Sequence, residues 1–198
     1  MVTKNLIEDE LLVVGVASSA GGLDPLRDML SKAICHENMA YILVPHLSRE
    51  YESALPKILD GISNLKTLNI ESGTSIEPCH LYILPAGYYA RVEHHRIVLD
   101  PRPDRGVNHS ANVLFKSLAR SFRQNAIGVV LSGAAVGYDG SEGIVEIKRA
   151  GGHTYAQDPK TAIYPNMPKA AINTGCVDSV LSAEQIGHEL TLVSWASD

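Results

Sequence analysis

Residues 11–25 read Leu11-Leu12-Val13-Val14-Gly15-Val16-Ala17-Ser18-Ser19-Ala20-Gly21-Gly22-Leu23-Asp24-Pro25. The apolar run 11–17 carries no polar alternation, so it does not describe a strand with one wetted face. It predicts a strand covered on both sides, as in a parallel sheet with helices above and below. The small residues behind it suit a sharp turn. Asp24 then reads as a helix N-cap with Pro25 at the first helical position. Strand, tight turn and helix in that order is the unit from which α/β folds are built.

The unit recurs outward from there. Tyr41-Ile42-Leu43-Val44 is a second buried strand, with a helix-like stretch over 53–62 behind it. Ile127-Gly128-Val129-Val130-Leu131 is a third, followed by a glycine-rich turn and a helix over 143–150. Between these two, Leu81-Tyr82-Ile83-Leu84, Ala90-Arg91-Val92-Glu93 and Arg96-Ile97-Val98-Leu99 predict short strands, the last two joined by a turn at His94-His95. Residues 110–122 place Val113, Leu114, Leu118 and Phe122 on one stripe, the mark of an amphipathic helix. Past the third strand come a strand over 153–157, a helix near 167–172 and a strand over 177–181. A last helix is opened by the capping box Ser182-Ala183-Glu184-Gln185. The pattern predicts a doubly wound α/β fold: a mostly parallel sheet, helices on both faces, and an antiparallel hairpin at one edge. With no repeat, low-complexity tract or charged linker, residues 1–198 are expected to form one domain, with 1–10 as a leader segment.

The chain of 198 residues is 45% hydrophobic and 20% charged, which excludes a disordered or collagen-like protein. A domain of this length buries about 70% of the surface its unfolded chain exposes, so its core needs no metal or disulfide staple. A net charge of −5 with no basic run argues against a nucleic-acid partner. No apolar run approaches the roughly 18 residues of a membrane helix, and the amino end shows no signal peptide. Membrane insertion is therefore not expected, and a cytoplasmic location fits. Cys35, Cys79 and Cys176 are odd in number, far apart and outside any Cys-x-x-Cys pair. The expectation is no disulfide and no zinc site, each cysteine being a small buried apolar residue. No His/Cys/Asp cluster has metal-ligand spacing, so neither a metal nor another cofactor is expected.

In an open α/β sheet, ligands bind beyond the carboxyl ends of the strands. The first strand is followed there by Ser18-Ser19-Ala20-Gly21-Gly22, the second by Pro45-His46-Leu47-Ser48, and the third by 132–140, which ends in Tyr138-Asp139-Gly140. Serine, histidine and aspartate at one edge are what nucleophilic acyl transfer needs: a hydroxyl, a base, and a carboxylate that fixes the imidazole tautomer. Ala17-Ser18-Ser19-Ala20-Gly21 has the shape of a nucleophile elbow, with Ala17 in place of the first glycine. Two other readings of this loop stay open, a phosphate or cofactor loop at a helix start and a plain tight turn. Among eight histidines, His46 stands apart because it directly ends a buried strand; His36, His80, His94, His95, His109, His153 and His188 read as solvated residues. Asp139 also fits ordinary turn chemistry.

At these three turns the chain resembles the chemotaxis protein-glutamate methylesterase family, the CheB-type catalytic domain, most of all the version fused ahead of receptor methyltransferase domains. The similarity runs from about Val13 to Ile186 and rests on residues 14–22, His46-Leu47, Leu131-Ser132-Gly133 with Asp139-Gly140, Glu142-Gly143-Ile144, Ala156-Gln157-Asp158, Met167-Pro168-Lys169-Ala170-Ala171 and 174–178. The resemblance implies hydrolysis of glutamate methyl esters, and deamidation of glutamines in some members, on signalling helices of methyl-accepting chemoreceptors. It implies Ser19 as nucleophile, His46 as general base and then acid, and Asp139 as its orienting carboxylate. The backbone N–H groups of Ala20 and Ala134 would hold the oxyanion, and Met167 would contact substrate. A receptor methyltransferase is a further partner by the same analogy. A binding module with weak or lost catalysis, and a serine hydrolase for another ester, remain as alternatives.

The chain departs from the family pattern at the edge where this chemistry would occur. The aspartate loop is about two residues longer, 134–138 filling it. Pro45 replaces a glutamine, and Asn108-His109-Ser110-Ala111-Asn112 stands where the family has Pro-Ser-x-Asp. Glu142 is then the stand-in if the longer loop moves Asp139 away. An Asp139→Asn change is expected to cut turnover while leaving the fold intact. With only about ten residues ahead of the first strand, no receiver domain is expected.

Overall fold

The structure, a computed structural model, describes residues 11–33, 35–46, 54–134 and 139–195. Its elements run β1 (Leu12–Ser18), α1 (Leu23–Lys32), β2 (Met39–Pro45), α2 (Leu55–Leu59), β3 (Lys66–Asn69), β4 (Thr74–Ser75), β5 (His80–Ile83), β6 (Tyr88–Glu93) and β7 (Arg96–Pro101). Then follow α3 (Ser110–Phe122), a 3-10 turn (Arg123–Asn125), β8 (Ala126–Val130), α4 (Ser141–Arg149), β9 (His153–Gln157), α5 (Asn166–Ile172), β10 (Ser179–Leu181) and α6 (Ala183–Trp195). Seven strands form one sheet in the order β10-β9-β8-β1-β2-β5-β3, and each of its pairings is parallel. The unbroken apolar runs predicted this, because β1, β2 and β8 are buried along their whole length.

Successive residues of β1 face opposite sides of the sheet. Leu12, Val14 and Val16 pack with Leu26, Met29 and Leu30 of α1 and Ile186 and Leu190 of α6. Val13 and Ala17 pack with Leu114, Phe115 and Leu118 of α3 and Ile144 and Ile147 of α4. On that second face Gly15 pairs with Gly128 across β1 and β8. A Cβ on Gly15 would lie 2.8 Å from Leu118 and Phe115, and one on Gly143 would lie 2.4 Å from Phe115. The missing side chains let α3 settle against the sheet and α4 against α3, which brings the first turns of both helices to the carboxyl edge of β1 and β8.

Several expectations need correcting. The hairpin β6–β7 is not an edge of the parallel sheet; with β4 it forms a separate antiparallel sheet in the order β4-β7-β6. Hydrogen bonds fasten it to α3, where Val92 N donates to Ser117 Oγ at 2.9 Å and Ser121 Oγ donates to Val92 O at 3.1 Å. The helix expected over 53–62 is confined to Leu55–Leu59, with Ser53 outside the described residues. α1 is capped by Gly22 with no side-chain bond, and Asp24 lies in its first turn. The box before α6 does form, between Ser182 Oγ and Gln185 N and between Gln185 Oε1 and Ser182 N.

The cysteine expectation is overturned. Cys35 and Cys79 form a disulfide with their Cα atoms 4.6 Å apart, Cys35 is exposed rather than buried, and Cys176 is a half-buried free thiol. The two paired residues precede β2 and β5, which are neighbours in the sheet, and Cys79 N donates to Met39 O at 2.8 Å. Strand adjacency closes a gap of 44 residues that spacing alone cannot reveal.

Candidate active site

The site is assembled at the carboxyl ends of the three central strands. Ser18 of β1 is in register with Pro45 of β2, so the residues just past each, Ser19 and His46, emerge side by side. His46 N donates to Ser18 O at 2.9 Å, and Ser19 N donates across to Ser132 O at 3.1 Å. Ser19 thus sits between the continuations of β2 and β8. Ser18 is buried, and a Cβ on Gly22 would meet its Cβ at 2.7 Å. Ser19 keeps part of its surface open. Gly21 turns the chain with φ +69, a value that favours glycine, and a Cβ there would strike Tyr164 and Ile163.

Asp139 and His46 meet directly. His46 Nε2 and Asp139 Oδ2 lie 2.8 Å apart, with the imidazole 8% exposed and the carboxylate 0% exposed. Three backbone groups complete the carboxylate's shell. Ala111 N donates to Oδ2 at 2.8 Å, while Asn112 N and Gly140 N donate to Oδ1 at 2.8 and 3.0 Å. Two of these donors open α3, so the charge lies at the positive end of a 13-residue helix. Nε2 is spent on the carboxylate, which leaves Nδ1 as the free ring nitrogen. No hydrogen bond joins the Ser19 hydroxyl to His46 in this structure.

The wall beside Ser19 is residues 132–134. Ser132 N donates to Gln157 Oε1 at 2.8 Å, Tyr164 N to Ser132 Oγ at 3.1 Å, and Gly133 N to Tyr164 O at 2.9 Å. Gln157 is itself anchored through Nε2 to Thr161 O at 3.1 Å. A Cβ on Gly133 would fall 2.9 Å from the Ser19 Cβ and still closer to Met167 Sδ, so only glycine lets this strand end pass so near the serine. Met167 is 1% exposed and lies under that turn, its N–H donating to Gly133 O at 3.1 Å. The N–H groups of Ala20 and Ala134 engage no acceptor among the described residues. Ile163 and Tyr164, 64% and 44% exposed, form an apolar rim on the Gly21 side.

Glu142 is engaged by Lys116, not by His46. It pairs with Lys116 Nζ at 2.5 Å on the surface, and the ammonium holds its carboxyl below the usual range. Of the other histidines named in the sequence, His109 directly precedes α3 beside this site, and two turns elsewhere hold others. His80 is bonded to Pro78 O, and His94 and His95 form the hairpin turn. Among the described residues no group of three or more His, Cys, Asp or Glu could hold a metal ion. Two buried polar residues, Asn112 and Gln157, are quoted from the sequence within longer motifs but given no role there. Asn112 could have been found: it lies one turn before Phe115, on the face of α3 that the apolar residues bury.

The CheB methylesterase family model matches residues 14–190. The chain belongs to the CheB methylesterase family. It is 36% identical over 180 residues to the "Protein-glutamate methylesterase/protein-glutamine glutaminase" of Pyrococcus abyssi, covering 88% of this chain and 48% of that one. To "Protein-glutamate methylesterase/protein-glutamine glutaminase 2" of Rhizobium johnstonii it is 32% identical over 192 residues, covering 91% and 50%. The chain therefore spans about half the length of the curated relatives it matches. The crystal structure of the Thermotoga maritima CheB methylesterase catalytic domain superposes with a TM-score of 0.81 at 25% identity, covering 92% of this chain and 98% of that one. The CheB segment takes in every residue of the site just described. No helix among the described residues is long and apolar enough to cross a membrane.

Proposed function

We propose that this CheB-family chain is a serine esterase, one domain over 1–198, that hydrolyses glutamate methyl esters on chemoreceptor signalling helices in the cytoplasm. Deamidation of glutamines there would follow the same course. The observation that supports it most is the buried His46–Asp139 hydrogen bond of 2.8 Å at the strand end next to Ser19. Asp139 holds Nε2, so Nδ1 is the nitrogen offered to the Ser19 hydroxyl; a hydrogen bond between them would form as substrate arrives. Ser19 Oγ attacks the ester carbonyl and its proton passes to His46 Nδ1. The N–H groups of Ala20 and Ala134 receive the oxyanion, with the positive end of α1 behind Ala20. Collapse breaks the acyl–oxygen bond, and methanol leaves with the proton from His46. Water then repeats the sequence on the acyl-enzyme, releasing a free carboxylate and restoring Ser19. Met167, expected from the resemblance to contact substrate, is 1% exposed and supports the floor at Gly133 instead, and no metal or other cofactor takes part.

The test is methanol release from receptor-bearing membranes labelled on their methyl esters, comparing the chain with its Ser19→Ala variant. The reading requires release that Ser19→Ala abolishes. Binding to the membranes without release would make the chain a docking module, one that could also meet a receptor methyltransferase. Release from simple esters but never from receptors would assign another substrate.

A further inference from the structure

We propose that Asn112 is a positioning residue that fixes the Asp139 carboxylate for His46, a role that rests on the esterase reading above. Asn112 engages the Asp139 segment twice. Its N–H donates to Asp139 Oδ1 at 2.8 Å. Its own side-chain Oδ1 accepts Gly140 N at 3.1 Å and Gly143 N at 2.9 Å. Gly140 directly follows Asp139, sits at φ +95 and has no side chain to cap α4, so the cap comes from across α3. The residue is 5% exposed, and water cannot readily replace its oxygen. Without that oxygen, Gly143 N loses its acceptor, Gly140 N keeps only Asp139 Oδ1, and the backbone carrying Asp139 loses its side-chain tether to α3. A displacement of about 1 Å in such a group costs about a hundredfold in rate.

The amide's neutrality matters as much as its oxygen. Gly140 N is shared between Asn112 Oδ1 at 3.1 Å and Asp139 Oδ1 at 3.0 Å, so these oxygens lie within about 6 Å of each other. A carboxylate at 112 would keep the acceptor and add a second negative charge beside the pair, favouring the imidazolium. Of the titratable groups on the flanking helices, Glu142 on α4 interacts with Asp139 and is paired with Lys116 on α3, and His109 precedes α3. Among the described residues, the ends of β1 and β8 bring the uncharged Ser18, Ser19 and Ser132 to this edge.

The experiment compares Asn112→Ala and Asn112→Asp with the unaltered chain. It follows kcat and KM on p-nitrophenyl acetate, and the His46 imidazole titration by NMR, assigned with His46→Gln. Asn112→Ala should lower kcat about a hundredfold with KM little changed. Asn112→Asp should keep kcat within about fivefold at its own optimum. It should raise the His46 midpoint, and with it the acid limb of the rate profile, by roughly one pH unit. A kcat for Asn112→Ala within about twofold of the unaltered chain would overturn the proposal. So would an Asn112→Asp titration that does not move. If Asn112→Ala fails to fold, Asn112→Asp decides alone. If the unaltered chain turns over no ester, the esterase reading fails, while the NMR titration still reports on the pair.

Discussion

Replacing Asp139 by Asn removes a charge and one acceptor oxygen from a carboxylate that serves four donors: His46 Nε2 and the N–H groups of Ala111, Asn112 and Gly140. The carboxamide has one oxygen. Placed where Oδ1 was, it keeps Asn112 and Gly140 satisfied and turns its NH2 towards Ala111 N and His46. His46 can adapt by taking the tautomer with the proton on Nδ1; Ala111 N–H cannot. One buried donor left without an acceptor costs about 1–3 kcal/mol, and losing the charge at the start of α3 adds roughly 1 kcal/mol. The loss is then about 2–4 kcal/mol, or roughly 5–15 °C in Tm for a domain of this size. The sequence alone led to an intact fold, because it does not show that this carboxylate also caps a helix. Turnover should fall about ten-thousandfold, because the adapted tautomer presents a protonated nitrogen to Ser19. Thermal unfolding by circular dichroism and ester turnover well below the lowered Tm separate the two effects. A Tm within about 2 °C of the unaltered chain would refute the capping argument, and turnover within about tenfold would refute the tautomer argument.

Three further outcomes follow from the same contacts. Glu142→Gln should change turnover less than about twofold and Tm by about 1–2 °C at most, since an exposed ion pair contributes little; a collapse of activity would return the orienting role to Glu142. Gly143→Ala drives a Cβ to 2.4 Å from Phe115 and should cost about 1–3 kcal/mol, read as a lower urea midpoint; an unchanged midpoint would mean α3 and α4 are not held at this spacing. Asp178 accepts Thr154 N and Thr154 Oγ1, each at 3.0 Å, and pairs with Lys148. Burial pushes its pKa up, but these partners outweigh it and hold the carboxyl below its ordinary value. Its contribution is therefore complete above the unfolded value of about 4 and is lost as pH falls through the lower folded value. The Tm difference between the unaltered chain and Asp178→Asn should shrink on acidification; a difference that grows would reverse the assigned direction.

Much of this architecture is legible in the sequence because buried parallel strands leave a crude signal. The runs beginning at Leu11, Tyr41 and Ile127 are apolar throughout, and only two-sided burial permits that. The edge positions of Ser19, His46 and Asp139 then follow from where those runs stop. What stayed hidden depends on pairings between distant segments. Residues 66–69 alternate only weakly and form β3 because β5 supplies their partner. Cys35 meets Cys79 because β2 and β5 start together. Asn112 and Gln157 act by offering a side-chain oxygen to backbone N–H groups at least 25 residues away. Composition and periodicity describe one segment at a time and carry no record of such partners.

The longer loop before Asp139 and the position of its carboxylate are separable in this fold. Residues 135–138 lie outside the described residues, and none of the four donors to the carboxylate belongs to them. The donors come from the end of β2, the first turn of α3, and Gly140 on the far side of Asp139. On the near side, Gly133 is fixed independently, its N–H on Tyr164 O and its carbonyl on Met167 N. The extra residues are thus inserted between two anchored ends. The His46–Asp139 contact, by contrast, answers to α3 and α4. The position of the carboxylate is therefore set by residues 111, 112 and 140, with Gly143 holding Asn112, and not by the length of the segment between Gly133 and Asp139.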